Sequence, residues 1–228
     1  MRWLWMLLLL VPAPAAAQIE GRIALEGSVP ASQVPRPSDP LCPLSMPPPM
    51  REGGPAAGAF VVLAEPPPGT HRALDPVVYR FADCNLKPAA AAILVGQQLV
   101  VKNESDVLHT VQLDAGEALV RSLPRKGRRF THRFEKPIGL VRVHDAVHPG
   151  VQAHLLVLEH PYVAVTDKEG RFRLGGPPLA PGRYAVRVWH PRLGETLRWV
   201  DLKQSSAPVQ WRVRPHGPTH DRRPDDRR

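Results

Sequence analysis

The chain has 228 residues, with 28 Pro, 17 Gly and 2 Cys. Pro and Gly together make up roughly a fifth of it, against an average nearer 12%, which disfavours long helices because Pro lacks a backbone donor and clashes inside a helical turn. The net charge of +9 suggests a nucleic-acid binder, but it is local. Six basic residues and no acid fall in 121–133, six basics against three acids fall in 212–228, and Arg2 stands alone, which leaves 17 basics and 18 acids elsewhere, a net of −1.

Residues 1–17 carry Arg2, an apolar run from Trp3 to Val11, and Ala15, Ala16 and Ala17 before Gln18. That is the pattern of a cleaved secretory signal peptide, too short for a membrane span. No other stretch is long enough to cross a bilayer, so the expected location is periplasmic or secreted. Cys42 and Cys84 are the only cysteines, and in an oxidising compartment an even count fits one disulfide; two separate thiols or a metal ligand are the rival reading.

The elements follow in chain order. Arg22–Gly27 alternates like a strand. Residues 29–58, rich in Pro, Gly, Ala and Ser, are predicted to be a long irregular loop. The apolar run Ala59–Ala64 suits a buried strand. Strands are then predicted at Val77–Phe81, Ala91–Val95, Gln98–Asn103 and Leu108–Leu113, with a turn at Asn103–Asp106. The basic cluster at 121–133 reads as a solvated loop leading into a strand at Arg129–Phe134. Leu140–Val143 and Val151–Leu158 close this block. Five further strands, Tyr162–Thr166, Arg171–Leu174, Arg183–Trp189, Glu195–Leu202 and Val209–Val213, are separated by Gly/Pro turns. Short, evenly spaced strands indicate antiparallel sandwiches or barrels, hence an all-β fold. Residues 215–228 have nothing apolar to bury and are expected to be disordered.

Three segments offer metal-ligand chemistry: His109, the group His144, Asp145 and His148, and then His154. Imidazole and carboxylate donors suit Cu, Zn or Ni, although a single His on a strand is more often a packed or solvent-facing residue. On a strand, His144 and His148 share a face by parity and Asp145 points the other way, unless the chain turns between Asp145 and Pro149. There is no Gly-x-Ser-x-Gly elbow, no His-Glu-x-x-His helix and no phosphate-cradling loop. Aromatic residues are few, with Phe130 alone inside the basic cluster, so nucleic-acid stacking is unsupported.

From Ala92 to Leu158 the chain resembles the plastocyanin-like cupredoxins, particularly exported proteins of the methylamine-utilisation type. The matching residues are Val95–Leu99, Lys102-Asn103, Leu108–Val111, Phe134–Pro137 with Gly139, and Asp145–Pro149. In that family the last segment runs Cys-Asp-Val-His-Pro-Trp-Met and, with the upstream His, holds a type 1 copper. The resemblance places His109 and His148 at the two His positions, Asp145 at the Cys and Val151 at the Met. It also matches Cys42 and Cys84 to family cysteines outside the copper loop, which implies the Cys42–Cys84 disulfide.

A second stretch, Thr166–Phe172 followed by Pro181–Tyr184, resembles the carboxypeptidase regulatory-like domain, a prealbumin-like β-sandwich. The combined expectation is a cupredoxin-like Greek-key sandwich plus a second small β-sandwich. The predicted divisions are a signal peptide at 1–17, a discontinuous sandwich at 19–73 and 159–214, a cupredoxin-like domain at 74–158 and a tail at 215–228.

Function is expected to be non-enzymatic: an exported binding or scaffold protein whose type 1 copper site lacks its Cys and Met. The alternatives are copper(II) or zinc binding through His109, His148 and Asp145 or His144, and periplasmic electron transfer as the family implies. The cofactor is accordingly copper in a site that is not type 1, or none. The expected partner is an unidentified envelope protein or redox partner, with no nucleic acid and no transmembrane segment in the mature chain.

Overall fold

The computed structural model describes residues 17–30, 42, 49–69, 75–148, 150–203 and 207–215. The expected leader (save Ala17) and the expected tail (save Pro215) lie outside them. Among these residues there are sixteen strands and no helix. In order they are β1 (Glu20–Leu25), β2 (Phe60–Leu63), β3 (Val77–Ala82), β4 (Asn85–Lys87), β5 (Ala90–Leu94), β6 (Gln98–Asn103), β7 (His109–Ala115) and β8 (Glu117–Leu123). The second half has β9 (Arg129–Arg133), β10 (Gly139–Asp145), β11 (Gln152–Leu158), β12 (Val163–Val165), β13 (Arg171–Arg173), β14 (Gly182–His190), β15 (Gly194–Leu202) and β16 (Val209–Val213). The fold is all-β, and no helix of the described residues is long and apolar enough to cross a membrane.

Four sheets make two sandwiches. One pairs a five-stranded sheet, β5-β11-β10-β7-β8, with a four-stranded sheet, β4-β3-β6-β9. Its core is Tyr79, Phe81, Leu99, Val101, Val111, Leu113, Val141, Val143, Leu155 and their neighbours. These alternate along each strand, which is why one face of every central strand is buried. The other sandwich pairs β13-β1-β16 with β12-β2-β14-β15 around Ile23, Leu25, Val61, Leu63, Phe172, Val186 and Val188. Its strands come from both ends of the chain: β1 runs parallel to β16, and β2 pairs with β12 and β14. Gly21 is required there, since a Cβ would sit 2.2 Å from the Val209 carbonyl oxygen.

The two sandwiches meet where β12 runs beside β5 and where the His154 ring meets the Trp189 ring edge-on at 5.4 Å. Cys42 and Cys84 form a disulfide. It ties the segment between β1 and β2 to the turn between β3 and β4, so it joins one sandwich to the other.

One expectation needs correction. The basic segment 121–133 is not a loop before a strand: Arg121 to Leu123 belong to β8, and only 124–128 form the turn into β9. β8 pairs with β7 along its whole length, His109 opposite Leu123 to Ala115 opposite Glu117, and this ladder holds it together with Leu123, buried in the core, and Leu119, packed against it. Trp199 lies on an outer sheet face in β15, 54% exposed, with the Arg183 guanidinium 4.9 Å above its ring.

Candidate functional site

The polar atoms of the first sandwich are concentrated at one end. β6 ends at Asn103, β7 begins at His109, and β10 ends at Asp145. Beyond Asp145 the chain makes a tight turn, closed by Val151 N–H to His148 O at 2.9 Å and Asp145 N–H to Val151 O at 2.9 Å. The turn returns His148 over Asp145. His109, Asp145 and His148 are thereby buried together, with one ligand-type atom from each lying within 4.8 Å of the others.

The carboxylate is the hub. His109 Nδ1 lies 2.6 Å and His148 Nδ1 2.7 Å from the same oxygen, Asp145 Oδ2. Asp145 Oδ1 accepts the backbone N–H of Thr110 at 2.9 Å and of Val147 at 3.0 Å. The second of these bonds closes the turn in the way an Asx side chain does. Burial pushes the Asp145 carboxyl up, but hydrogen bonds from His109, the Thr110 amide, His148 and the Val147 amide outweigh it and hold it at about 2. Asp145 is therefore ionised throughout the physiological range.

A second layer fixes His109. Its Nε2 is 2.7 Å from Ser105 Oγ, which is 2.9 Å from Asn103 Oδ1. Asn103 Nδ2 donates to the Val107 and Leu123 carbonyls, both at 2.8 Å. The His109 ring also stacks on Phe81, centroids 4.3 Å apart and planes 7° from parallel. Neither Ser105 nor Asn103 was among the candidate residues. The signal was there, since Asn103-Glu104-Ser105 is a polar turn directly before His109, but turn residues of this kind are common.

His144 does not join the group. It sits on the opposite face of β10 from Asp145, as strand alternation requires, and its Nδ1 is 3.7 Å from Asp114 Oδ2. Burial, the largest influence on it, lowers its pKa. His154 also lies elsewhere, against Trp189. Parity alone groups His144 with His148, but the turn after Asp145 breaks that parity.

Among solved structures, the chain is similar to a mutant of amicyanin in its Cu(I) form, at 19% identity over 42% of this chain and 97% of that one, with a TM-score of 0.34. It is also similar to a purple cupredoxin from Nitrosopumilus maritimus, at 21% identity over 36% and 98% with a TM-score of 0.30. A copper-containing nitrite reductase from Thermus scotoductus matches at 22% over 41% of this chain and 25% of its own length, with a TM-score of 0.32. No family model and no curated protein matches. These likenesses concern the fold of part of the chain and assign no residue a role, and the resemblance to a carboxypeptidase regulatory-like domain has no counterpart among them.

Proposed function

We propose that this is an exported, non-enzymatic binding or scaffold protein whose cupredoxin-like sandwich carries a carboxylate hub in place of a copper–thiolate centre. One observation carries the reading: both imidazole Nδ1 atoms are bonded to Asp145 Oδ2. A type 1 copper needs two imidazoles, a thiolate and a weak axial donor. The two cysteines are bonded to each other, and Val151, which the resemblance aligns with the axial Met, is a buried hydrocarbon. The donors present do not fit that centre. The carboxylate is already supplied with four hydrogen bonds, so the group is complete without an ion.

Export rests on the leader pattern of residues 1–17 and agrees with the disulfide. The pairing of β2 with β12 supports reading 74–158 as an insertion within the other sandwich, and the turn Asp167–Gly170 leading to buried Phe172 supports the carboxypeptidase regulatory-like character of that sandwich.

A second reading is favoured by the convergence of His109, Asp145 and His148 within 4.8 Å. Two imidazoles and a carboxylate are a donor set that takes Cu(II) or Zn(II). Titration of the purified protein with Cu(II) and Zn(II) separates the two. The hub predicts no stoichiometric uptake and no change on His109→Ala. Uptake of one equivalent with a weak visible band and a tetragonal EPR signal, both lost in His109→Ala, replaces the hub with the metal site. An intense blue band overturns both and restores electron transfer.

A further inference from the structure

The outer face of the four-stranded sheet β4-β3-β6-β9 carries a row of cations in register. Arg80 is opposite Lys87 on one side and Lys102 on the other, and Lys102 is opposite Arg129. Four basic residues from four strands thus cross the sheet in line, about 14 Å from end to end at the usual strand spacing. Arg133 lies four residues along β9 from Arg129, about 13 Å further in the second direction, on the same face by alternation. The turn 124–128 adds three more basics at the margin.

Acids offset only part of this. Glu104 is 3.1 Å from Arg80 and Asp83 is 4.0 Å from Lys87. Among the described residues no carboxylate pairs with Lys102 or Arg129, although they face one another directly. Like charges opposite each other on a sheet are destabilising, so the fold retains a cost at this face.

We propose that this face docks on an anionic membrane surface, held by lipid phosphate headgroups. The cations spread in two directions over a sheet face rather than along a groove, which suits a plane of headgroups; a linear polyanion meets only one row. The other residues of the face are Val78, Ala82, Asn85, Gln98, Thr131 and Val100, the last of them buried, with no aromatic ring on which a base could stack. The five-stranded sheet on the far side is the one whose β5 runs beside β12 of the other sandwich, which leaves the cationic face turned outward. The attraction is electrostatic and therefore confined to about a Debye length, about 8 Å at physiological salt.

The test is co-sedimentation of the purified full-length mature protein with vesicles of phosphatidylcholine holding about one third phosphatidylglycerol, a plainly anionic surface. Binding is expected at low salt, abolished at about 0.5 M salt and absent with pure phosphatidylcholine. Each cation near such a surface contributes roughly a fivefold change in partitioning, so Lys102→Gln with Arg129→Gln is expected to weaken binding about 25-fold. Arg183→Gln with Arg187→Gln removes the same net charge from the other sandwich and is expected to leave binding nearly unchanged. Lys102→Glu alone supplies Arg129 with an opposite charge across the strands, so it is expected to fold at least as stably while binding less. Equal loss in the two double variants, no binding to the anionic vesicles at low salt, or retention on soluble polyphosphate without vesicle binding each overturns the proposal.

Discussion

The two sandwiches bury different things. The one built from both ends of the chain closes around hydrocarbon, with Thr166 and His190 as its buried polar residues among those described. Thr166 Oγ1 is used locally, bonded to the Ala59 N–H at 2.8 Å and the Ala56 carbonyl at 2.5 Å. The other sandwich has a comparable apolar core but ends in a connected polar group running from Asn103 through Ser105, His109 and Asp145 to His148. Apolar packing tolerates exchange of one hydrocarbon for another. A connected polar group does not, because each member leaves another without a partner when removed. Sequence change at that end is therefore expected to be costly in the first sandwich and mild at equivalent apolar positions of the second.

The sharpest way to break this contrast is Asp145→Ala. It strands two imidazole Nδ1 atoms and the N–H groups of Thr110 and Val147 in a buried site, and a loss of roughly 3–5 kcal/mol is expected in denaturant unfolding. A loss below about 1 kcal/mol, the net worth of one ordinary hydrogen bond, means the carboxylate is not the hub described. Asp145→Asn, which keeps an acceptor, is expected to cost less.

The disulfide tests whether the sandwiches behave as one unit. Cys42 and Cys84 are separated by 42 residues, for which loop-closure entropy gives about 4 kcal/mol. Replacing both by Ala is expected to lower stability by about that amount and to split a single calorimetric transition into two. A single transition in the double variant means that the contacts at β5, β12 and Trp189 suffice to couple the sandwiches.

Acid acts on His190 and on Asp145 in different pH windows. Burial holds His190 neutral in the folded protein and lowers its pKa from 6.5 to about 4; the Ala57 backbone opposes this, and Arg192 and His154 reinforce it. Stability linked to His190 is therefore complete above pH 6.5 and is lost as pH falls from 6.5 through 4, roughly 3 kcal/mol in all. Asp145 has the opposite chemistry: its contribution is complete above its unfolded value near 3.8 and is lost only between there and about 2. Burial also lowers the pKa of His132, His144 and His154 in the other sandwich, so both are expected to weaken as pH falls below 6.5; the His190 part is seen in tryptophan fluorescence, since Trp189, Trp199 and Trp211 all lie in its sandwich. His190→Gln is expected to flatten the profile between pH 6.5 and 4 and leave the lower window intact.

Much of the fold is readable from alternation, because strands such as β7, with buried residues at every second position, write their burial into the sequence. β8 is not readable. Most of its residues are exposed, its core contacts Leu119 and Leu123 lie four residues apart with exposed Val120 between them, and the ladder to β7 is a property of backbone groups that every residue shares. At the site, His109, Asp145 and His148 are readable as ligand-type residues. Their grouping is not, because it depends on the turn at 146–148, where strand parity stops applying and His144 and His148 part company. Ser105 and Asn103 escape notice for a related reason: polar residues in a turn are expected to face water, and Asn103 is instead fully buried, bonded to two carbonyls.

β2 and β12 are antiparallel neighbours, with Val62 opposite Val163 and Leu63 N–H bonded to the Tyr162 carbonyl at 3.0 Å. Topologically they are the two arms of a hairpin, and residues 64–162 are its loop. An unfolded loop of that length would tax the closure of the hairpin. A folded one whose entrance and exit already lie side by side does not, since its own sheets have spent that entropy. Once folded, the inner sandwich thus acts as a rigid turn across whose base the outer one closes.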